Sequence, residues 1–294
     1  MENLASPKNI KEIVKKHGFQ FNKKLGQNFL IDQNILHKIV DGANITKEDG
    51  VLQIGPGIGT LTQELAKRAK KVVAIEIDQH LLPILQDTLK DFDNIEVIHG
   101  DILKMPLRDI LYHKFENRKI KVVANLPYYV TTSIVMKLLE EELPIDSITI
   151  MIQKEVAERM NAAPGGKDYG ALSVAVQFYA NPHRIATVPS NVFIPQPKVD
   201  SIVIGLDILD KPKVEVSNRK LFFQVVKAAF GKRRKTLLNA LSTGSLGIEK
   251  QEVLEVLNGV EIDSKRRGET LSLQEFADIA NSIDDQYKIK NERG

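Results

Sequence analysis

The segment VLQIGPGIGTLTQELAKRA, residues 51–69, passes from a β-branched apolar run through three alternate glycines into a helical pattern. Leu61, Leu65, Ala66 and Ala69 recur there at helix spacing. A strand feeding directly into an amphipathic helix packs that helix back onto its own sheet, which commits the chain to a parallel-sheet architecture. Gly55, Gly57 and Gly59 carry no Cβ, so the backbone between strand and helix can turn tightly and approach a ligand closely.

The same alternation continues on both sides. Further strand runs read as VVAIEI (72–77), EVIHG (96–100), VVANL (122–126) and ITIMIQ (148–153), with helical patterns between most of them. After about residue 180, RIATV (184–188) and SIVIGLDI (201–208) add two more, joined by the proline-rich NVFIPQPKVD in a hairpin-like pair. The expectation is an α/β domain with a doubly wound sheet of seven strands over residues 1–208, including an N-terminal arm. Residues 209–220 read as a polar linker. Beyond them Leu221, Phe222, Val225, Val226, Ala229 and Phe230 mark one helix face, so residues 209–294 read as a small helical domain.

Composition narrows the chemistry. The chain has no cysteine, which excludes disulfides, cysteine-ligated zinc, iron–sulfur clusters and thiolate nucleophiles; no metal site is expected. No apolar run approaches the roughly 20 residues of a membrane span, and the N-terminal stretch lacks an apolar signal segment, so a cytoplasmic protein is expected. The net charge of +3 is unevenly spread: residues 1–24 hold six lysines against two glutamates, and residues 219–267 hold eleven Lys and Arg against five acidic residues. Positive charge gathered near both ends suits a polyanion-binding face.

Three strand ends carry candidate cofactor groups. After the glycine turn, Glu76 closes VVAIEID, where a carboxylate can accept hydrogen bonds from both hydroxyls of a ribose. The GxGxG spacing lacks the third glycine of the dinucleotide fingerprint, which disfavours a dinucleotide. Asp101 in VIHGDIL could bond the amino group of an adenine, or could instead cap the turn that follows it. Together, the turn at Gly55 and Gly57, Glu76 and Asp101 resemble the S-adenosyl-L-methionine site of Rossmann-like methyltransferases, in which the turn faces the methionine part, Glu76 the ribose and Asp101 the adenine.

The fourth strand ends in Asn125-Leu126-Pro127-Tyr128. An adenine amino group is a poor nucleophile because its lone pair is delocalised into the ring. Two acceptors on its hydrogens, the Asn125 side-chain oxygen and a backbone carbonyl such as that of Leu126, would draw the nitrogen towards tetrahedral geometry. Pro127 stiffens the turn. Tyr128 can stack on the purine and tolerate passing positive charge, a cation–π contribution on the order of 1 kcal/mol. No general base is needed, because the methylated nitrogen sheds its proton once cationic. Phe193 is a candidate second stacking surface, and a duplexed target must be flipped out to reach such a pocket. The lack of cysteine agrees with transfer to nitrogen instead of a pyrimidine ring carbon.

Nearly the whole chain resembles the bacterial small-subunit (16S) ribosomal RNA adenine dimethyltransferases. The resemblance rests on KKLGQNFLID (23–32), VLQIGPGIGTLT (51–62), VVAIEID (72–78), GDIL (100–103), VVANLPYYVTT (122–132), MIQKEVAERM (151–160), VFIPQPKVDS (192–201) and AAFGKRRKTLLNAL (228–241). It implies that Asn28, Leu30 and Asn125 also contact the cofactor. It further implies dimethylation of two adjacent adenosines in the 3′-terminal hairpin of 16S rRNA, in the small ribosomal subunit or its precursor, at a cost of four cofactor molecules. One departure stands out: Gln53 occupies the place of the family's usual Glu, which removes a negative charge near the sulfonium. The fuller KKLGQNFLID segment, NLPY and the KRRKTLLNAL stretch favour this type over the erythromycin-resistance enzymes of large-subunit rRNA. Lys232, Arg233, Arg234 and Lys235, expected to wrap around more than one helix face, form a candidate RNA surface with Lys265, Arg266 and Arg267, extended by Lys23 and Lys24. Two other readings are an assembly checkpoint whose binding to immature subunits matters more than methylation, and a DNA adenine methyltransferase, which no sequence-reading domain supports. A chain that must fit against a ribosomal subunit is expected to act as a monomer.

Overall fold

The computed structural model describes residues 4–22, 25–116, 118–232, 234–244 and 246–293, so Lys23, Lys24 and Arg233 lie outside the described residues. In chain order the elements begin with α1 (Pro7–Lys16), β1 (Phe29–Leu30), α2 (Gln33–Gly42), β2 (Gly50–Ile54), α3 (Thr60–Arg68) and β3 (Lys71–Glu76). They continue with α4 (Leu82–Thr88), β4 (Ile95–His99), α5 (Leu107–Phe115), β5 (Ile120–Asn125), α6 (Thr131–Glu140), β6 (Ser147–Gln153) and α7 (Lys154–Met160). The remainder is α8 (Ala171–Tyr179), β7 (Ala180–Val188), β8 (Phe193–Ile194), β9 (Ser201–Ile208), α9 (Arg219–Gly231), α10 (Leu237–Ser242), α11 (Lys250–Gly259) and α12 (Leu273–Arg293).

Seven strands form one sheet in the order β4-β3-β2-β5-β6-β9-β7. β2 through β6 pair in parallel, and β9 runs antiparallel to β6, from Ser147 opposite Asp207 to Gln153 opposite Ser201. The expected fold class and strand count therefore hold, with β9 reversed. Val51, Leu52, Val72, Val73, Val122 and Val123 are fully buried, because helices cover both faces and the strands have no polar side to show. α2 starts where the Asp32 carboxylate accepts from the Ile35 N–H at 3.0 Å, and its Ile35, Leu36, Ile39 and Val40 pack with Leu65 and Ala66 of α3 on this core.

The strand order reverses between β2 and β5: β3 and β4 extend to one side, β5 and β6 to the other. Parallel α/β sheets bind ligands outside the carboxyl ends of their strands at such a switch point. Those ends carry Ile54, Glu76, His99 and Asn125.

The chain divides into two compact units, Met1–Ala157 with Asn181–Ile208, and Glu158–Ala180 with Leu209–Gly294. The boundary expected from sequence, 208/209, is one of these crossings, but residues 158–180, assigned by sequence to the first domain, belong to the second unit. The cause is aromatic packing. Phe178 of α8 lies 4.9 Å from Phe222 and 5.3 Å from Phe223 of α9, and Tyr169 lies 5.8 Å from Phe230. α9 buries Leu221, Phe222, Val225, Val226 and Ala229, the face its periodicity predicts.

Candidate active site

A cavity opens at the carboxyl ends of β2, β3 and β5, and within the first unit it gathers most of the residues singled out for chemistry. Its lining includes Gly55, Gly57, Glu76, Asp101, the run Asn125–Tyr129, Phe193, and Leu25–Leu30 of the N-terminal arm. The three glycines all hold positive φ, at +68°, +61° and +91°. A Cβ on Gly57 would lie 3.2 Å from the Phe29 ring, so a side chain there would press on the arm by a few tenths of an ångström besides straining the positive φ.

Glu76 anchors this turn. Its carboxylate accepts from the Gly57 N–H at 3.3 Å and from the Asp78 N–H at 2.8 Å, and the residue is 4% exposed. Burial pushes its pKa up to about 7, against the opposing pull of those backbone N–H groups. A diol ligand needs the ionised form, because only a carboxylate offers lone pairs to both hydroxyls. Binding should therefore strengthen as pH rises through this value. If only the ionised form binds, the cofactor Kd falls about tenfold between pH 6 and pH 8. Isothermal titration across that range, with the Glu76→Gln variant flat, is the check; a pH-independent wild-type Kd would contradict it.

Of the two roles the sequence left open for Asp101, the structure shows the cap and leaves the side chain at the cavity wall. Its Oδ1 accepts from the Leu103 N–H at 3.0 Å, capping the following turn.

Asn125 is oriented by a contact 97 residues away: its Nδ2 donates to the Asn28 carbonyl at 3.1 Å. A carbonyl can only face the amide's NH2 group, so the arm fixes Oδ1 as the acceptor left for a ligand. The Leu126 N–H donates to the Met151 carbonyl at 3.2 Å, which holds the turn to β6. Tyr128 Oη shares a 2.9 Å hydrogen bond with buried Ser201 Oγ of β9, tethering the ring at its polar end, and burial raises its pKa. Phe193 is 3% exposed and packs in the core, as one of its two readings expects, and it also lines the cavity. It reaches the site through a short antiparallel ladder, in which Leu30 of β1 pairs with Phe193 of β8.

Sequence reasoning missed several cavity residues. Gln27 ties the arm to the β3 end by donating to Asp78 Oδ2 at 2.7 Å, and Thr60, Ile77 and Tyr129 also line the cavity. Only the solvent-facing Tyr129 had a readable signal, the doubled tyrosine in NLPYY.

Gln53 is 1% exposed and its Oε1 has no hydrogen-bond partner among the described residues; the same holds for Thr60 Oγ1. A buried amide oxygen left unpaired costs roughly 1–3 kcal/mol, a cost removed when a ligand brings N–H donors to it. Two buried acceptors without partners, a cradle of bare glycines and a carboxylate at the next strand end fit the donor-rich amino-acid and ribose parts of S-adenosylmethionine. Restoring the negative charge near a cationic ligand, by Gln53→Glu, is expected to lower the cofactor Kd several-fold, on the order of 1 kcal/mol. An unchanged or higher Kd would refute this.

The second unit holds the two C-terminal basic runs. Lys232, Arg234 and Lys235 lie not on a helix, as expected, but in the turn between α9 and α10, where all three are exposed. The second basic run is beside the first: the Leu237 N–H donates to the Arg266 carbonyl at 2.7 Å and the Leu238 N–H to Ser264 at 3.2 Å. Lys265 and Arg267 are exposed, whereas Arg266 forms a two-point ion pair with Glu275, at 2.5 and 3.2 Å, and donates to the Thr270 carbonyl. Arg266 is thus a structural brace, which sequence could not distinguish from its neighbours.

The model of one protein family, ribosomal RNA adenine dimethylase, matches residues 18–279. A curated protein from Alkaliphilus oremlandii (strain OhILAs), ribosomal RNA small subunit methyltransferase A, is 60% identical over 283 residues, covering 96% of this chain and 99% of the relative. Among solved structures, a dimethyladenosine transferase from Plasmodium falciparum superposes with a TM-score of 0.74 at 26% identity, covering 88% of this chain and 98% of that one. The 23S rRNA methyltransferase ErmE superposes with a TM-score of 0.65 at 25% identity, covering 87% and 99%.

Proposed function

Because this chain belongs to the ribosomal RNA adenine dimethylase family, we propose that the cavity at the sheet's carboxyl ends binds S-adenosylmethionine and that the enzyme dimethylates adenosine N6 in 16S rRNA. The observation that carries this reading is the orientation of Asn125, whose amide nitrogen is held by the Asn28 carbonyl. Bound there, S-adenosylmethionine supplies an electrophilic methyl group.

The chain's own residues do the rest. Asn125 Oδ1 and the Leu126 carbonyl accept the two N6 hydrogens, which localises the nitrogen lone pair towards the incoming methyl group. Leu126 precedes a proline, so the peptide after it carries no N–H to compete at that edge. Tyr128 and Phe193 flank the purine, and the hydroxyl tether to Ser201 keeps the Tyr128 ring in place. Glu76 holds the ribose and Asp101 the cofactor adenine, while Gln53, Gly55, Gly57, Asn28 and Leu30 surround its methionine end. The target adenosine must be unpaired or flipped out of a helix to enter.

Within 16S rRNA the proposed target is a pair of adjacent adenosines in the 3′-terminal hairpin, modified during small-subunit biogenesis. The enzyme is proposed to work as a monomer in the cytoplasm, beside the ribosomal RNA that its family modifies. Lys232, Arg234, Lys235, Lys265 and Arg267 would contact RNA phosphates, with Lys23, Lys24 and Arg233 as further proposed contacts. The erythromycin-resistance alternative is disfavoured by 25% identity to ErmE against 60% to the small-subunit relative. Nucleoside analysis of separated rRNAs from cells with and without the gene tests the target: loss of dimethyladenosine from 16S rRNA is expected, and loss from 23S rRNA instead would overturn the assignment.

A further inference from the structure

The turn that presents Tyr128 carries a second aromatic side chain for which the chemistry above has no use. Tyr129 lines the cavity, yet it is 62% exposed. Large exposed hydrophobic side chains among the described residues are Ile77, Tyr112, Tyr129 and Val199, and of these Tyr129 is the one aromatic at the cavity. On one side the ring lies near the N-terminal arm: Gly26 holds φ +59°, and a Cβ built there would be in ordinary van der Waals contact with Tyr129 Cδ1 at 3.5 Å and Pro127 Cβ at 3.4 Å, while much of the ring stays in solvent. Burial of its inner part and the Asp101 carboxylate raise the hydroxyl's pKa, so the ring stays neutral.

An adenine drawn into the pocket leaves its neighbours without a stacking partner, and the first replacement surface they meet is at the mouth. We propose that Tyr129 is a positioning residue that stacks the nucleotide adjacent to the flipped adenosine. The inference rests on the methyltransferase reading above. Stacking on a flat ring tolerates any base, so Tyr129 holds the strand in place and does not select sequence. With two adjacent target adenosines, one would rest on Tyr129 while the other occupies the pocket between Tyr128 and Phe193.

The test is steady-state methylation of undermethylated small subunits by wild type, Tyr129→Ala and Tyr129→Phe, with the cofactor Kd measured in parallel. Loss of one stacked base should raise the KM for subunits about tenfold. The effect should fall on KM more than on kcat and leave the cofactor Kd unchanged, and Tyr129→Phe should restore KM because the face and not the hydroxyl does the stacking. In RNA with 2-aminopurine beside the target, wild type should quench its fluorescence on binding and Tyr129→Ala should not. An unchanged KM, a failure of Tyr129→Phe to rescue, or a weakened cofactor Kd in Tyr129→Ala, which would place the ring against the cofactor, would each overturn the proposal. Wild-type activity on the same subunits tests the methyltransferase reading separately.

Discussion

Asn125→Ala is expected to lower kcat for methyl transfer by about 100- to 1,000-fold, the usual consequence of removing one preorganised polar group aimed at the reacting atom. The variant loses Oδ1, one of the two acceptors that localise the adenine lone pair. It also loses the hydrogen bond from Nδ2 to the Asn28 carbonyl, which holds the N-terminal arm over the cavity. One such bond is worth about 1 kcal/mol net, so the cofactor Kd should rise only about fivefold. Single-turnover methylation with saturating cofactor separates the two effects. A fall in rate no larger than the change in Kd would show that Asn125 braces the arm and does no more.

The second large effect is on the cofactor. Glu76→Ala removes the acceptor for the ribose diol and, at the same time, the acceptor for the Gly57 and Asp78 N–H groups. Hydrogen bonds to an ionised group contribute roughly 1.5–3 kcal/mol each, so losing the diol contact alone should weaken S-adenosylmethionine at least 100-fold. Glu76→Gln should also weaken it, because an amide presents one oxygen where the carboxylate presents two and its NH2 would face a backbone N–H. Calorimetric binding measures both variants, with circular dichroism to show that the fold is retained. A Kd for Glu76→Ala within threefold of wild type would remove Glu76 from the cofactor site.

Much of this site lay open in the sequence because it is built from strand ends. The GxGxG turn, Glu76, Asp101 and the Asn125 tetrapeptide each follow a β-branched run directly, and a parallel sheet brings all its carboxyl ends to one edge. The same logic made the buried face of α9 readable from spacing alone. What sequence could not show are contacts between residues far apart in the chain. The Asn28 to Asn125 bond, the Tyr128 to Ser201 tether and the β1–β8 ladder each join segments that no local pattern links. Residues 158–180 were misassigned for a related reason. The glycine-rich stretch APGGKDYG (163–170) falls inside this segment and not at its boundary, and only the packing of Phe178 on Phe222 and Phe223 reveals where the segment belongs. Charge alone could not separate Arg266, which is paired with Glu275, from its more exposed neighbours in the run.

The central claim is that this chain transfers methyl groups to adenosine N6 in small-subunit RNA from the cavity described. Its most direct test is incubation of purified small subunits, taken from cells lacking the modification, with labelled S-adenosylmethionine and the enzyme, followed by nuclease digestion and nucleoside analysis. Label in N6,N6-dimethyladenosine of 16S rRNA, approaching four methyl groups per subunit and absent with Asn125→Ala, is the predicted result. Label that appears in another nucleoside, or transfer that persists undiminished in Asn125→Ala, would contradict the account.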